Sequence, residues 1–276
     1  MEQSLNAIML ASANEVSLAV GEHVGGDAKT FIQMMNDRAK ELGCKKTNFV
    51  NTNGLFDENH YTTAYDMALI ARAALSNEAF RKITSTKIYT IPSTNLVDES
   101  RVFGNHHQML TGTKKPQYKY EGCIGGKTGY TVKAKHSLAT FASRDGLELI
   151  CIVMNNESSN ANYESTTALL DFGFDNFTVH DTALEKDNNI IDASNFFTSQ
   201  DSSLFNSSSS QLQIEGTSSV ILPNTADYSE VKKTISYTPN MELTLGRNVL
   251  GTINYEYDNR QVGSSQIVYN NTAIPK

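Results

Sequence analysis

Apolar residues in the first third of the chain recur at intervals of three and four, and from about Lys87 onward the interval falls toward two. That change predicts helices first and strands later. Leu5, Ile8 and Met9 share one helical face, and Val16, Ala19 and Val20 share another after the polar interruption Ser12-Ala13-Asn14. Asp27 is placed to cap a helix that carries Phe31, Met34, Met35, Ala39 and Leu42 and stops at Gly43. A clearer helix starts at Thr63 and Asp66, a pair resembling a capping box, and places Met67, Ile70, Ala71, Ala74 and Leu75 on its apolar stripe.

Lys87 to Ile91 reads as a strand ended by Pro92. The segments His136–Ser143 and Leu147–Met154 flank Arg144-Asp145-Gly146, where the Asp-Gly pair tolerates positive φ, so a β-hairpin is expected. A last helix runs from about Tyr163 to Phe172 and ends before Gly173. Between Lys186 and Gln211 the composition turns to Ser, Asn and Asp, which is read as a flexible loop. Beyond it, Gln213–Leu222, Lys233–Tyr237, Met241–Leu245, Gly251–Tyr257 and Gln261–Tyr269 are short alternating segments. The reading is α+β, with a mixed domain over residues 1–178 followed by a small all-β sandwich over 179–276.

Thirty acidic against twenty-three basic side chains give a net charge of −7, with 39% hydrophobic and 19% charged residues. This is a globular balance, and an acidic chain without a Lys/Arg run repels phosphate backbones, which argues against a nucleic-acid partner. The three cysteines, Cys44, Cys123 and Cys151, are odd in number and widely spaced, so they read as small apolar side chains rather than a disulfide framework or metal site. The longest apolar run, Leu149 to Met154, is far below the roughly 18 residues of a membrane helix. The opening MEQSLNAIML has neither a basic start nor a cleavage site, so no signal peptide is expected within it.

The segment Gly122-Cys123-Ile124-Gly125-Gly126-Lys127-Thr128-Gly129 admits two readings. A phosphate-binding loop needs four residues between its glycines and a following helix, but Gly122 and Gly126 enclose three and a strand pattern follows. The other reading is the Lys-Thr-Gly strand of penicillin-recognising serine acyl transferases, whose companion is a Ser-x-Asn triplet upstream. Ser12-Ala13-Asn14 supplies that triplet at a break between two helices. His106 and His107 are adjacent and would face opposite ways on a strand, so one metal ion is not chelated by both. His106 reads as a pocket-wall candidate and His107 as surface; Lys133 and Lys135 read as surface charges, and Tyr61, Tyr65 and Asp66 as helix-start packing and capping.

The surrounding words extend the likeness. LNAIMLASANEVSLAV, FVNTNGLFDENHYTTAYDMALIARAAL, GNHHQML and GGKTGYTVKAKHSLATFAS resemble the low-molecular-weight penicillin-binding proteins of the serine D-alanyl-D-alanine carboxypeptidase group, peptidase S11. VLGTINYEYDNRQV is similar to a strand pair of the β-domain that follows the catalytic domain there. The resemblance implies a partial β-lactamase/transpeptidase-like catalytic domain that removes a terminal D-Ala through an acyl-enzyme, without cofactor or metal. It implies catalytic roles for Ser12, Asn14 and Lys127. Ser12 would relay a proton to the leaving group and Asn14 would hold the substrate amide. Thr128 would meet the terminal carboxylate beside the charge of Lys127, Gly129 would let the substrate backbone lie close, and the Tyr130 N–H would be one oxyanion donor.

One departure accompanies the matches. The family's nucleophile and its lysine lie on a Ser-x-x-Lys helix upstream of Ser-x-Asn, and only eleven residues precede Ser12 here. The single Ser-x-x-Lys, Ser229-Glu230-Val231-Lys232, follows Lys127 in the β-rich tail and reads as coincidence. The expectation is an N-terminally truncated family member, inactive by itself, whose full-length form processes peptidoglycan pentapeptides in the cell envelope and binds β-lactams. Alternatives are a noncatalytic envelope protein that keeps the groove for binding, and a β-lactamase-like hydrolase on the same scaffold, for which no deacylating carboxylate is evident.

Overall fold

A computed structural model describes residues 1–182, 212–215, 219–238 and 244–271. The chain divides into two compact units, Met1–Gly173 and Phe174–Lys276. The first unit opens with α1 (Glu2–Ala11), α2 (Asn14–Gly25) and α3 (Ala28–Glu41). α1 stops because Ser12 takes the left-handed conformation, φ 56° and ψ 44°, and Ala13 is extended. Asn6, Ala7 and Leu10 are its buried residues, whereas Leu5, Ile8 and Met9 are half-buried, so the buried stripe is wider than expected and turned by about a residue. The reason is that α1 packs on several elements at once. Asp27 caps α3 as expected, accepting the Thr30 N–H at 2.7 Å.

Thr63 caps α4 (Ala64–Leu75) by accepting the Asp66 N–H at 3.1 Å. The Asp66 carboxylate does not complete the capping box; it accepts from the Lys46 N–H and the Thr47 hydroxyl, each at 2.7 Å, and ties that loop to the helix. Tyr61 and Tyr65 are 55% and 73% exposed, which corrects their reading as packing residues: Tyr65 lies on the outer face of α4. A helix absent from the sequence reading, α5 (Glu78–Ser85), is capped by Asn77 and buries Ile83 and Thr84. β1 (Ile88–Ile91) pairs with β2 (Arg101–Gly104), and the short α6 (Gln108–Thr111) follows.

The central sheet is antiparallel in the order β3 (Cys123–Thr131), β4 (Lys135–Arg144), β5 (Leu147–Asn156). Asp145 and Gly146 turn the predicted hairpin with φ of 49° and 83°, the paired positive values of a type I′ turn. Phe141 projects from β4 onto Ala71 and Leu75 of α4, with Phe80, Ile124, Ile150 and Ile152 around it. Among the described residues β5 pairs with β4 alone. α7 (Ser159–Asn176) starts four residues before the predicted helix. All three cysteines are free thiols, Cys151 buried and the others half-buried.

In the second unit β6 (Phe177–Asp181) pairs with β8 (Ser219–Pro223), and β7 (Leu212–Glu215), β9 (Lys232–Tyr237), β10 (Gly246–Tyr257) and β11 (Arg260–Asn271) form a four-stranded sheet in the order β7-β11-β10-β9. Val220 and Leu222 of β8 share one core with Ile253, Tyr255 and Ile267 of the larger sheet, which makes the unit a two-sheet sandwich. Gln213–Leu222 is thus two strands in two sheets rather than one. The Ser/Asn-rich stretch up to Gln211, and residues 241–243 of the expected Met241–Leu245 strand, lie outside the described residues.

Phe141 is 3% exposed at the contact between sheet and α4. Phe141→Ala is expected to cost about 3–5 kcal/mol, and Leu96→Ala, at a position 88% exposed, under about 0.5 kcal/mol. Thermal unfolding of the two variants checks the contrast.

Candidate active site

The sequence around Lys127 is a strand for a local reason. Gly125, Gly126, Lys127, Thr128, Gly129 and Tyr130 pair in unbroken register with Phe141, Thr140, Ala139, Leu138, Ser137 and His136. No loop opens into a helix there, so the phosphate-loop reading fails on geometry. Gly126 cannot be replaced without movement. A Cβ there would lie 2.2 Å from the Ala139 carbonyl oxygen and 2.5 Å from the His107 ring. At Gly129 a Cβ would meet only the Ser137 Cβ, at 3.8 Å. The fold therefore demands the first glycine, while the second leaves an open outer face on the strand.

Ser12 and Lys127 meet across 115 positions of sequence, the Lys127 ammonium donating to the Ser12 hydroxyl at 2.5 Å and to the Thr128 carbonyl at 2.8 Å. The left-handed turn at Ser12 presents the hydroxyl, and the strand delivers the lysine. Burial holds the Lys127 ammonium below the ordinary lysine range, because a desolvated cation gives up its proton more readily. An open groove of about 370 Å³ begins at the Ser12 end of this contact and is lined by Ser12, His106, Thr128, Gly129 and Tyr130, with Lys127 itself not among the lining residues. Asn14 opens α2 on the exposed side of the same break, and it is not among the residues that line the groove.

Tyr130 is 63% exposed and its ring lies 4.6 Å from that of His136. His106, on the groove wall, is held below the usual imidazole range by burial first and then by Lys127 and Lys114. Residues that the sequence reading passed over complete the groove: Ser159, Asn162 and Tyr163 at the start of α7. Ser159 and Asn162 precede the helix start that the sequence pattern predicts, and Tyr163 reads there only as its first residue. Among the described residues no group of three or more His, Cys, Asp or Glu side chains is arranged to hold a metal ion.

His107 is not a surface residue. It is 1% exposed, and its Nε2 lies 3.2 Å from the Ala139 carbonyl and 3.0 Å from the Thr140 hydroxyl. A carbonyl accepts only, so Nε2 carries the proton, and the buried Nδ1 has no partner. The expectation of surface placement assumed strand alternation, but His107 begins α6 and turns inward. Lys133 is exposed as expected, while Lys135 pairs with Glu157.

Burial pushes His107 down to about 4 from an ordinary 6.5. The folded state therefore binds a proton later than the unfolded state on acidification. Its neutral form contributes stability in full above pH 6.5, and that contribution is lost as pH falls through 6.5 toward 4. The loss is on the order of 3 kcal/mol. Denaturant titrations of the parent and of His107→Gln at pH 7.5 and pH 4.5 check this: the variant is expected to lose less stability between the two pH values than the parent does.

A family model described as D-alanyl-D-alanine carboxypeptidase, peptidase S11, matches residues 1–158. The chain is 34% identical over 180 residues to the D-alanyl-D-alanine carboxypeptidase DacF of Bacillus subtilis, covering 65% of this chain and 44% of that protein. It is similar to the solved DD-transpeptidase of Streptomyces K15, with a TM-score of 0.58, 30% identity, and coverage of 63% of this chain and 67% of that one. Penicillin-binding protein 5 of Haemophilus influenzae shares the fold over 97% of this chain and 72% of its own, with a TM-score of 0.61 and 24% identity. The chain spans about 44% to 60% of the length of the first curated relatives it matches. A match over more than half of the chain, reaching from the helical break at Ser12 through the Lys127 strand, makes this protein a member of the peptidase S11 family of D-alanyl-D-alanine carboxypeptidases.

Proposed function

We propose that these 276 residues form the proton-relay and carboxylate-binding walls of a serine D-Ala-D-Ala carboxypeptidase site that acts on peptidoglycan peptides in the cell envelope. The observation that carries the reading is the 2.5 Å contact between the Lys127 ammonium and the Ser12 hydroxyl. A peptide laid along β3 would direct its terminal carboxylate to the Thr128 hydroxyl beside the Lys127 charge. The open face at Gly129 would admit its backbone. The Tyr130 N–H would donate to the oxyanion, and Asn14 would reach the substrate amide from the rim of the helical break. Lys127, with its proton loosened by burial, passes that proton through Ser12 to the departing D-Ala amine, a transfer that costs less than one from an ordinary lysine.

Acyl transfer also requires a nucleophilic hydroxyl and a base beside it. No Ser-x-x-Lys lies upstream of Ser12 in these 276 residues. Ser229-Glu230-Val231-Lys232 lies in the second unit, where Tyr228–Glu230 is a single 3-10 turn and Lys232 opens β9, so no helix carries that serine and lysine together. Loss of a serine nucleophile alone typically lowers turnover about a million-fold. This 276-residue polypeptide is therefore catalytically incompetent by itself, and the groove is left able to bind without cleaving.

Two preparations test the reading. The 276-residue polypeptide incubated with a fluorescent penicillin is expected to carry no label after denaturation, and a surviving adduct overturns its incompetence. A fusion with an N-terminal segment that carries the family's Ser-x-x-Lys is expected to gain label, and Lys127→Ala in that fusion to slow acylation about a hundredfold or more. Labelling that is indifferent to Lys127 contradicts the assignment.

A further inference from the structure

The contact at Ser12 depends on how tightly the strand beneath Lys127 is held, and two side chains grip it one residue earlier. Thr84, on α5 and 1% exposed, donates its hydroxyl to the Gly126 carbonyl at 3.2 Å and accepts the Gly126 N–H at 3.0 Å. A threonine methyl also faces Gly125, where an added Cβ would lie 2.8 Å from it. The His107 ring closes on Gly126 so nearly that an added Cβ would meet it at 2.5 Å, and its Nε2–H holds Ala139, the residue paired with Lys127 on β4. A hydroxyl that serves both backbone polar groups of one buried residue replaces ladder bonds that the strand cannot make on that side.

From this geometry we infer that Thr84 and His107 are positioning residues: together they clamp the backbone at Gly126 and so set the place of the Lys127 ammonium against Ser12. Neither touches the groove, and neither is among the residues that line it. The inference deepens the proposed function, since it gives the lysine's placement a cause, but it concerns where the lysine stands and not whether the chain turns over. A neutral His107 ring suits the role. An imidazolium there would repel Lys127, and His106 on the groove side adds the same sign when protonated.

Competitive amine labelling followed by mass spectrometry reads each lysine's titration midpoint in the dilute full chain. In the parent, Lys127 is expected to titrate below the ordinary lysine range. Thr84→Val is expected to close at least half of that gap as the released strand lets the ammonium reach water, and Thr84→Ser to restore it. His107→Ala is expected to act in the same direction, with His107→Gln, which can still donate to Ala139, closer to the parent. Arg81→Ala, on the same helix as Thr84, breaks the ion pair that ties α5 to Glu148 of β5 and is expected to lower the thermal midpoint without moving Lys127. Folded Thr84→Val and His107→Ala chains whose Lys127 midpoint equals the parent's would overturn the inference. Should either variant fail to fold, amide exchange of the parent decides. The Gly126 N–H is expected to be protected as well as the ladder amides of β3, and exchange at the rate of an exposed amide would overturn the clamp. Because these readouts need neither penicillin nor turnover, their failure leaves the functional reading to its own test.

Discussion

A lysine pulled partly out of water and set against a serine hydroxyl is the constraint around which the first unit is organised. An ammonium loses solvation when buried, so the position persists only where surrounding groups compensate. Here the Ser12 hydroxyl and the Thr128 carbonyl accept its protons. Each partner is delivered by a structural feature that has no slack. Ser12 is presented by a left-handed residue between two helices, and Lys127 by a strand whose preceding glycine has no room for a methyl group. The core contact of Phe141 with α4 anchors the same sheet from behind.

The groove joins elements far apart in sequence, and that separation shapes its chemistry. The turn between α1 and α2 supplies the hydroxyl, β3 the extended edge with Lys127 behind it, and the start of α7 the far wall. One side of the groove is thus positive and hydrogen-bonding, and the strand beside it is free to lie against an extended peptide. The family match over residues 1–158 takes in both the Ser12 break and the whole of β3, and it stops just short of α7.

Much of this was legible in the sequence, and what was not has identifiable causes. The Thr63 cap with its stripe of Ala71 and Leu75 and the Asp145-Gly146 turn were readable because each rests on short-range chemistry, and the structure repeats them. α5 escaped because Glu78–Ser85 is a short helix with few apolar side chains, signalled chiefly by its Asn77 cap. The split of Gln213–Leu222 into β7 and β8 escaped because alternation alone does not say which sheet a strand joins. At the site, Ser12, Lys127, Thr128, Gly129 and Tyr130 were visible as motif words. Thr84 stood in no such word, and His107, though inside GNHHQML, read as surface, since their work lies in contacts 42 and 32 positions distant in sequence that no local pattern records.

The most direct test is amide exchange of the 276-residue chain with and without a diacylated peptide ending in D-Ala-D-Ala. The account predicts saturable slowing confined to two segments, Ser12–Asn14 and Thr128–Tyr130, with the peptide recovered intact. Exchange that is unchanged in both segments, or slowed in only one of them, would contradict the claim that they are two walls of a single groove.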